Sequence, residues 1–264
     1  MNGAAVIAEI LRREGTEFLS CYPRNPLIEA CAALDIRPIL CRQERVGVGL
    51  ADGYTRIKRG KRNGVFAAKA GPGIENAFPG VAQAFSENVP LLMIPAGLPL
   101  ARQYLRPVFR AADVYRPVTK WSALAHSVQE LPDLVRRAYQ AMRCGKGGPV
   151  LIEVPAEVWE AEYAGELDYA PVQVQRAAPD PDAIKAAVRM LLAAKHPLLL
   201  AGRACSMPTR AISLQPWPSS FRRRSSPPIR AKARFPKRIR SPSGLRPARG
   251  RRWSPSSWPK PISC

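Results

Sequence analysis

Between residues 4 and 154 the chain alternates two hydrophobic rhythms. Val6, Ile7, Ile10 and Leu11 recur on one helical face, and Gly15 supplies the stop. The same 3.6-residue spacing predicts helices over Ala4–Glu14, Pro26–Leu34, Gln43–Lys58, Glu75–Phe85 and Leu131–Met142. Short apolar runs predict strands over Glu17–Cys21, Arg37–Cys41, Gly64–Ala68, Pro90–Ala96 and Pro149–Val154. Strand and helix alternate with short links. That order predicts an α/β fold with a doubly wound parallel sheet covered on both faces. In such a sheet, ligands sit beyond the carboxyl ends of the strands. Two segments fall there: Cys41-Arg42-Gln43-Glu44 and Lys69-Ala70-Gly71-Pro72-Gly73.

The pattern divides the chain. Residues 1–165 read as one domain. Residues 166–181 are polar and carry Pro and Ala, which reads as a linker. Asp182–Ala194 is then a new amphipathic helix and Pro197–Gly202 a new strand, so 182–203 read as the start of a second α/β domain. One strand buried on both faces cannot stand alone, so this second unit is expected to be truncated.

Composition changes the picture only beyond that point. Residues 204–264 hold 15 Lys and Arg, no Asp or Glu, 11 Pro and 12 Ser. The whole chain carries 41 basic and 20 acidic residues, formally +21; without those 15 it has 26 against 20, or +6. The first 203 residues are therefore of ordinary globular charge. A tail of this kind can be a basic arm for nucleic acid, with Trp217, Trp253 and Trp258 for base stacking. The favoured expectation is a disordered, out-of-frame tail. Shifted by one base, its Ser, Phe and Trp codons become apolar codons, and amphipathic text emerges around Arg252–Cys264. Nucleic acid is then not the expected partner.

No run of 18 apolar residues is present, so no membrane helix is expected. Met1-Asn2-Gly3-Ala4 leads straight into a helix without a signal peptide's basic start. Cys21, Cys31 and Cys41 lie ten apart, and no CxxC pair occurs. Reduced thiols in a cytoplasmic protein are the expectation.

Several motifs then recur in a fixed order. Gly3-Ala4 opens a helix ending Arg13-Glu14-Gly15. Arg42-Gln43-Glu44 precedes Gly47, Gly49 and Ala51-Asp52-Gly53-Tyr54-Thr55-Arg56. Next come Ala70-Gly71-Pro72-Gly73 with Asn76, Val89-Pro90-Leu91-Leu92, Arg116-Pro117-Val118-Thr119-Lys120, and Gly148 through Pro155. Over roughly residues 2–203 the chain resembles the thiamine-diphosphate enzymes of the acetolactate synthase type. The resemblance implies that residues 1–165 form the domain that binds the cofactor's pyrimidine.

It also implies roles. Glu44 stands at the family's essential glutamate, whose carboxyl at N1′ of the aminopyrimidine favours the imino tautomer. The 4′-imine then takes the proton from thiazolium C2, and the activated carbon attacks a 2-keto acid. Pro23, Asn25, Gly71, Pro72, Gly73 and Asn76 are implied as cofactor contacts, and Lys120 and Arg24 as substrate-side residues. Taken alone, Glu44 reads as a first-turn acid complementing the helix dipole. Gly71-Pro72-Gly73 alone is any β-to-α turn, and Lys120 alone a surface lysine.

Departures lie near the substrate side. Pro23-Arg24-Asn25-Pro26 replaces a Gly-Gly pair, Ala70 replaces Ser or Thr, and Phe109-Arg110 lacks the usual Gln-Glu. The Gly-Asp-Gly…Asn stretch that holds Mg²⁺ and the diphosphate belongs to a third domain and has no match here. Any flavin (FAD) would belong to the second domain. The implied activity is a 2-keto-acid lyase or transferase, a homodimer or homotetramer when complete. This chain alone is expected to be inactive. A pyrimidine-domain subunit of a split enzyme is the alternative.

Overall fold

The computed structural model describes residues 1–173 and 178–195. In chain order it holds α1 (Gly3–Arg13), β1 (Phe18–Cys21), α2 (Leu27–Ala32), β2 (Arg37–Leu40), α3 (Glu44–Ile57), β3 (Gly64–Ala68) and α4 (Pro72–Ser86). Then follow β4 (Leu91–Pro95), α5 (Ala111–Val114), β5 (Trp121–Leu124), α6 (Leu131–Arg143), β6 (Pro149–Glu153), α7 (Ala156–Glu160) and α8 (Pro181–Ala193).

Local chemistry explains the boundaries. Asn2 caps α1, its side-chain oxygen accepting from Ala5 N at 3.0 Å. Gly15, at φ +74°, ends that helix in the left-handed region. Gly71, at φ +66°, turns the chain, and Pro72 opens α4 with its preset φ. The helix therefore starts three residues before the expected Glu75.

All six strands are parallel, in the order β2-β1-β3-β4-β6-β5. The chain winds from β1 out to β2, then returns to the other side of β1 through β3 and β4. The switch point lies between β1 and β3. The interior strands bury both faces. Val65 and Ala67 of β3 join a core beneath α1, α2 and α6; Phe66 and Ala68 join a second core beneath α3 and α4. β5 was not among the expected strands. Trp121-Ser122-Ala123-Leu124 is a half-buried edge segment only four residues long, recruited by parallel pairing along β6 that begins with Trp121 opposite Val150.

The helix expected at Asp182–Ala194 is α8, and none of its residues is buried. The segment 166–181 begins packed on the body rather than free of it. Leu167 and Val172 lie against the first core, and Tyr169 is buried. Residues 174–177 of that segment, the expected strand Pro197–Gly202 and the tail 204–264 lie outside the described residues.

The close approach of α3 to the sheet rests on Gly47. A Cβ there would lie 2.3 Å from the Phe66 ring. Ser20 Oγ donates to the Gly47 carbonyl at 2.7 Å. Gly47→Ala is expected to destabilise by about 1–3 kcal/mol, the usual cost of overpacking. A denaturant midpoint equal to that of the parent would contradict this.

Candidate functional site

Glu44 is the first residue of α3, just past the end of β2. It enters the fold at the switch-point end of the sheet and is 6 % exposed. The Ser20–Gly47 hydrogen bond and the Gly47–Phe66 contact hold the first turn of α3 against β1 and β3. They fix where Glu44 points. Asn76, on the second turn of α4, donates from Nδ2 to Glu44 Oε2 at 2.6 Å. A Cβ on Gly73 would lie 3.5 Å from Glu44 Oε1 and 2.7 Å from Lys69 Cγ. The Glu44 carboxylate and the Lys69 stem thus flank Gly73. Residues 32 positions apart in sequence meet here because β2 and β3 both run toward this edge.

Gly71 has the opposite surroundings. Nothing lies within 4 Å of where its Cβ would be. Gly71 itself is half-buried, and Pro72 beside it is exposed. Pro23 and Arg24 are also exposed, in the turn after β1, with Arg24 at φ +66°.

Asn25 is different. Its Nδ2 donates to the carbonyls of Ala68 and Ile94, both at 3.0 Å, and its Oδ1 accepts from Leu27 N at 3.0 Å. That amide ties the β1–α2 turn to the ends of β3 and β4. Both its hydrogens are spent on the fold.

Lys120 stands away from this group. It precedes β5, its N–H donates to the Pro149 carbonyl, and its Nζ donates to the Cys144 carbonyl at 2.7 Å. These lie at the amino ends of β5 and β6, the opposite edge of the sheet from Glu44. The structure thus joins Glu44, Gly73 and Asn76, sets Gly71, Pro72, Pro23 and Arg24 on the same edge, and separates Lys120.

Sequence reading placed Lys69 in the strand-end segment but gave it no role of its own. The available signal was a cation placed directly after five buried strand residues. It also missed Glu153 at the carboxyl end of β6. That carboxyl is 2 % exposed and accepts from Ala112 N at 2.8 Å, and burial pushes its pKa up. It anchors the start of α5. Tyr115 OH donates to the Ile74 carbonyl at 2.6 Å and steadies the first turn of α4.

Residues 1–124 match the family of the thiamine pyrophosphate enzymes' N-terminal TPP binding domain. The chain is 29% identical over 215 residues to the acetolactate synthase large subunit of Haemophilus influenzae, covering 76% of this chain and 37% of that protein. The N-terminal region is a thiamine-diphosphate-binding domain, acetolactate synthase-like. The chloroplastic acetolactate synthase of Arabidopsis thaliana is 31% identical, with 77% and 32% covered. A probable acetolactate synthase large subunit of Methanococcus aeolicus is 30% identical, with 76% and 35% covered. The chain spans about a third of the length of these relatives. The fold also matches the crystal structure of benzoylformate decarboxylase from Polynucleobacter necessarius. There the TM-score is 0.66 at 24% identity, over 75% of this chain and 38% of that one. Among the described residues, no helix is long and apolar enough to cross a membrane.

Proposed function

We propose that this chain binds the aminopyrimidine of thiamine diphosphate at the crevice between β1 and β3, as the N-terminal part of a lyase or transferase acting on a small 2-keto acid. The carrying observation is Glu44: a buried carboxylate at the switch point, hydrogen-bonded by Asn76 and next to Gly73. The residues present fit the cofactor's pyrimidine. Gly71 leaves its side-chain position open to a flat ring, and Glu44 offers a carboxyl oxygen 3.5 Å from the Cβ position of Gly73, two residues on. When bound, the cofactor supplies an acidic thiazolium carbon and an electron sink for decarboxylation.

The chain's own residues would then do the following. Glu44 holds a proton at the pyrimidine ring nitrogen N1′. Gly71 and Pro72 form the floor of the ring's site. Pro23 and Arg24 border it on the β1 side. Asn25 keeps that border in register with β3 and β4. Lys120 has no place in this crevice within one chain.

The diphosphate and its Mg²⁺ are assigned to a domain beyond the described residues, and any flavin to the domain that begins near α8. A second copy would close the open side at Gly71, giving a homodimer or homotetramer. Domain limits of 1–165, 166–181, 182–203 and 204–264 belong to the same reading. So do a cytoplasmic location and an out-of-frame tail. The tail's test is the gene sequence. A shifted frame continuing past codon 264 into a Gly-Asp-Gly…Asn stretch is expected, and stops in every frame would end the idea.

Thiamine itself tests the cofactor reading, because the diphosphate subsite is placed elsewhere. Saturation-transfer NMR on the full chain is expected to show transfer to the pyrimidine methyl, weakened by Gly71→Val, whose side chain would occupy the open face. Absence of transfer with the unmodified chain would sink the reading.

A further inference from the structure

We propose that Asn76 is a positioning residue that selects which oxygen of Glu44 exchanges a proton with the pyrimidine: Oε1 rather than Oε2. The inference rests on the cofactor reading above and adds to it a role for a residue that need not touch the cofactor. Glu44 Oε2 receives the Asn76 Nδ2 hydrogen at 2.6 Å. An ionised carboxylate only accepts, so the amide nitrogen is the atom that faces it. A proton placed on Oε2 would weaken that oxygen as the acceptor of the N–H, whereas a proton on Oε1 leaves the bond intact. The proton therefore goes to Oε1, the oxygen 3.5 Å from the Cβ position of Gly73.

The geometry makes this selection firm. Glu44 begins α3, and the backbone of that first turn is fixed by the contacts of Gly47 with Ser20 and Phe66, which leaves Asn76 to orient the carboxylate. The Lys69 stem also lies close to Gly73, its Cγ 2.7 Å from that Cβ position. Asn76 itself is exposed on α4 and contributes nothing to either core. Its one recorded side-chain bond is spent on Glu44. Hydrogen bonds to charged groups are about twice as strong as neutral ones, so this single contact suffices to orient a carboxylate.

The test uses the full chain labelled with ¹³C at glutamate Cδ, and thiamine labelled with ¹⁵N at N1′. The Glu44 resonance is the one lost in Glu44→Gln. Asn76→Leu keeps much of the side chain's size and removes its N–H without adding charge; Asn76→Ala removes both. Gln83→Ala, exposed on a later turn of α4, is the control.

At neutral pH the Glu44 resonance is expected to move in both Asn76 variants and not in the control. Thiamine affinity, read from the ¹⁵N1′ displacement, is expected to fall about tenfold in Asn76→Leu, the loss of one hydrogen bond to a charged group. A purely steric role would be preserved by Leu. An unmoved Glu44 resonance overturns the proposal. A moved resonance with unchanged thiamine response overturns the orienting role and leaves only a surface hydrogen bond. No ¹⁵N1′ response from the unmodified chain overturns the cofactor reading, and the orienting role with it.

Discussion

Glu44→Gln is expected to lower turnover by about 10²–10⁴-fold in an active enzyme that carries this domain, the range for a lost general acid–base group. The substitution keeps volume and leaves an oxygen for the Asn76 N–H, so the contact seen at 2.6 Å survives. Ser20 and Phe66 still hold the first turn of α3. What disappears is the ionisable proton. Fold and most of the cofactor affinity should remain, which separates chemistry from packing. Steady-state kinetics with a 2-keto acid, alongside a thermal melt, read both. Near-parental turnover would leave Glu44 as a helix-start acid and remove the main support for the functional reading.

Glu14→Ala should cost the fold about 3–5 kcal/mol, the usual result of breaking a buried ion pair. The Glu14 side chain is 1% exposed and pairs with Arg143 at 2.7 Å. Its second oxygen accepts from Tyr169 OH at 2.7 Å and from Val172 N at 3.0 Å. Arg143 also donates to Asn63 at 2.8 Å. Alanine at 14 would leave the Arg143 guanidinium without its counter-ion, and a phenol and a backbone N–H without the acceptor they now share. In a domain of this size that is a fall in Tm of about 10 °C. Glu14→Gln keeps an acceptor for Tyr169 and Val172 and should lose less. Limited proteolysis supplies an independent check, because the network ties residues 167–172 to α1 and α6. A Tm unchanged by Glu14→Ala would show that this network contributes nothing net.

The ion pairs on the outer face of α1 make a useful contrast. Arg12 and Arg13 both reach Glu9 at 2.8 Å. The Arg12 and Arg13 hydrogen bonds hold the Glu9 carboxyl near pKa 2, against the opposing effect of burial. Such pairs contribute about 0–1 kcal/mol. The buried Glu14, one helix turn further on, is the acid that matters to the fold.

Most of the scaffold was readable from one dimension. The spacing of Val6, Ile7, Ile10 and Leu11 specifies α1, and Gly64–Ala68 is a strand with the bounds its apolar run suggests. Alternation of such elements implies a parallel sheet, and its carboxyl edge implies where a ligand goes. Glu44 and Gly71-Pro72-Gly73 could be singled out on that basis, because each follows a strand directly. These are local properties: side-chain period, turn chemistry and strand ends are set by near neighbours in sequence.

The rest depended on which elements meet. Only the strand order brings the ends of β2 and β3 to one edge, so that Asn76 reaches Glu44 and the Lys69 stem lies over Gly73. Asn25 looks like a crevice ligand in sequence, yet folding places the Ala68 and Ile94 carbonyls against its amide. Lys120 looks like a site residue, yet it precedes its strand instead of following it, and β5, four residues long, was too short to show this. Tyr169 reads as linker until Glu14, 155 positions earlier, supplies its acceptor. Side-chain period and strand ends are enough to mark the elements and the edge at which chemistry sits. Which oxygen, amide and cation share that edge follows from the packing of distant elements, because hydrogen-bond partners are chosen by distance in space, which local periodicity does not encode.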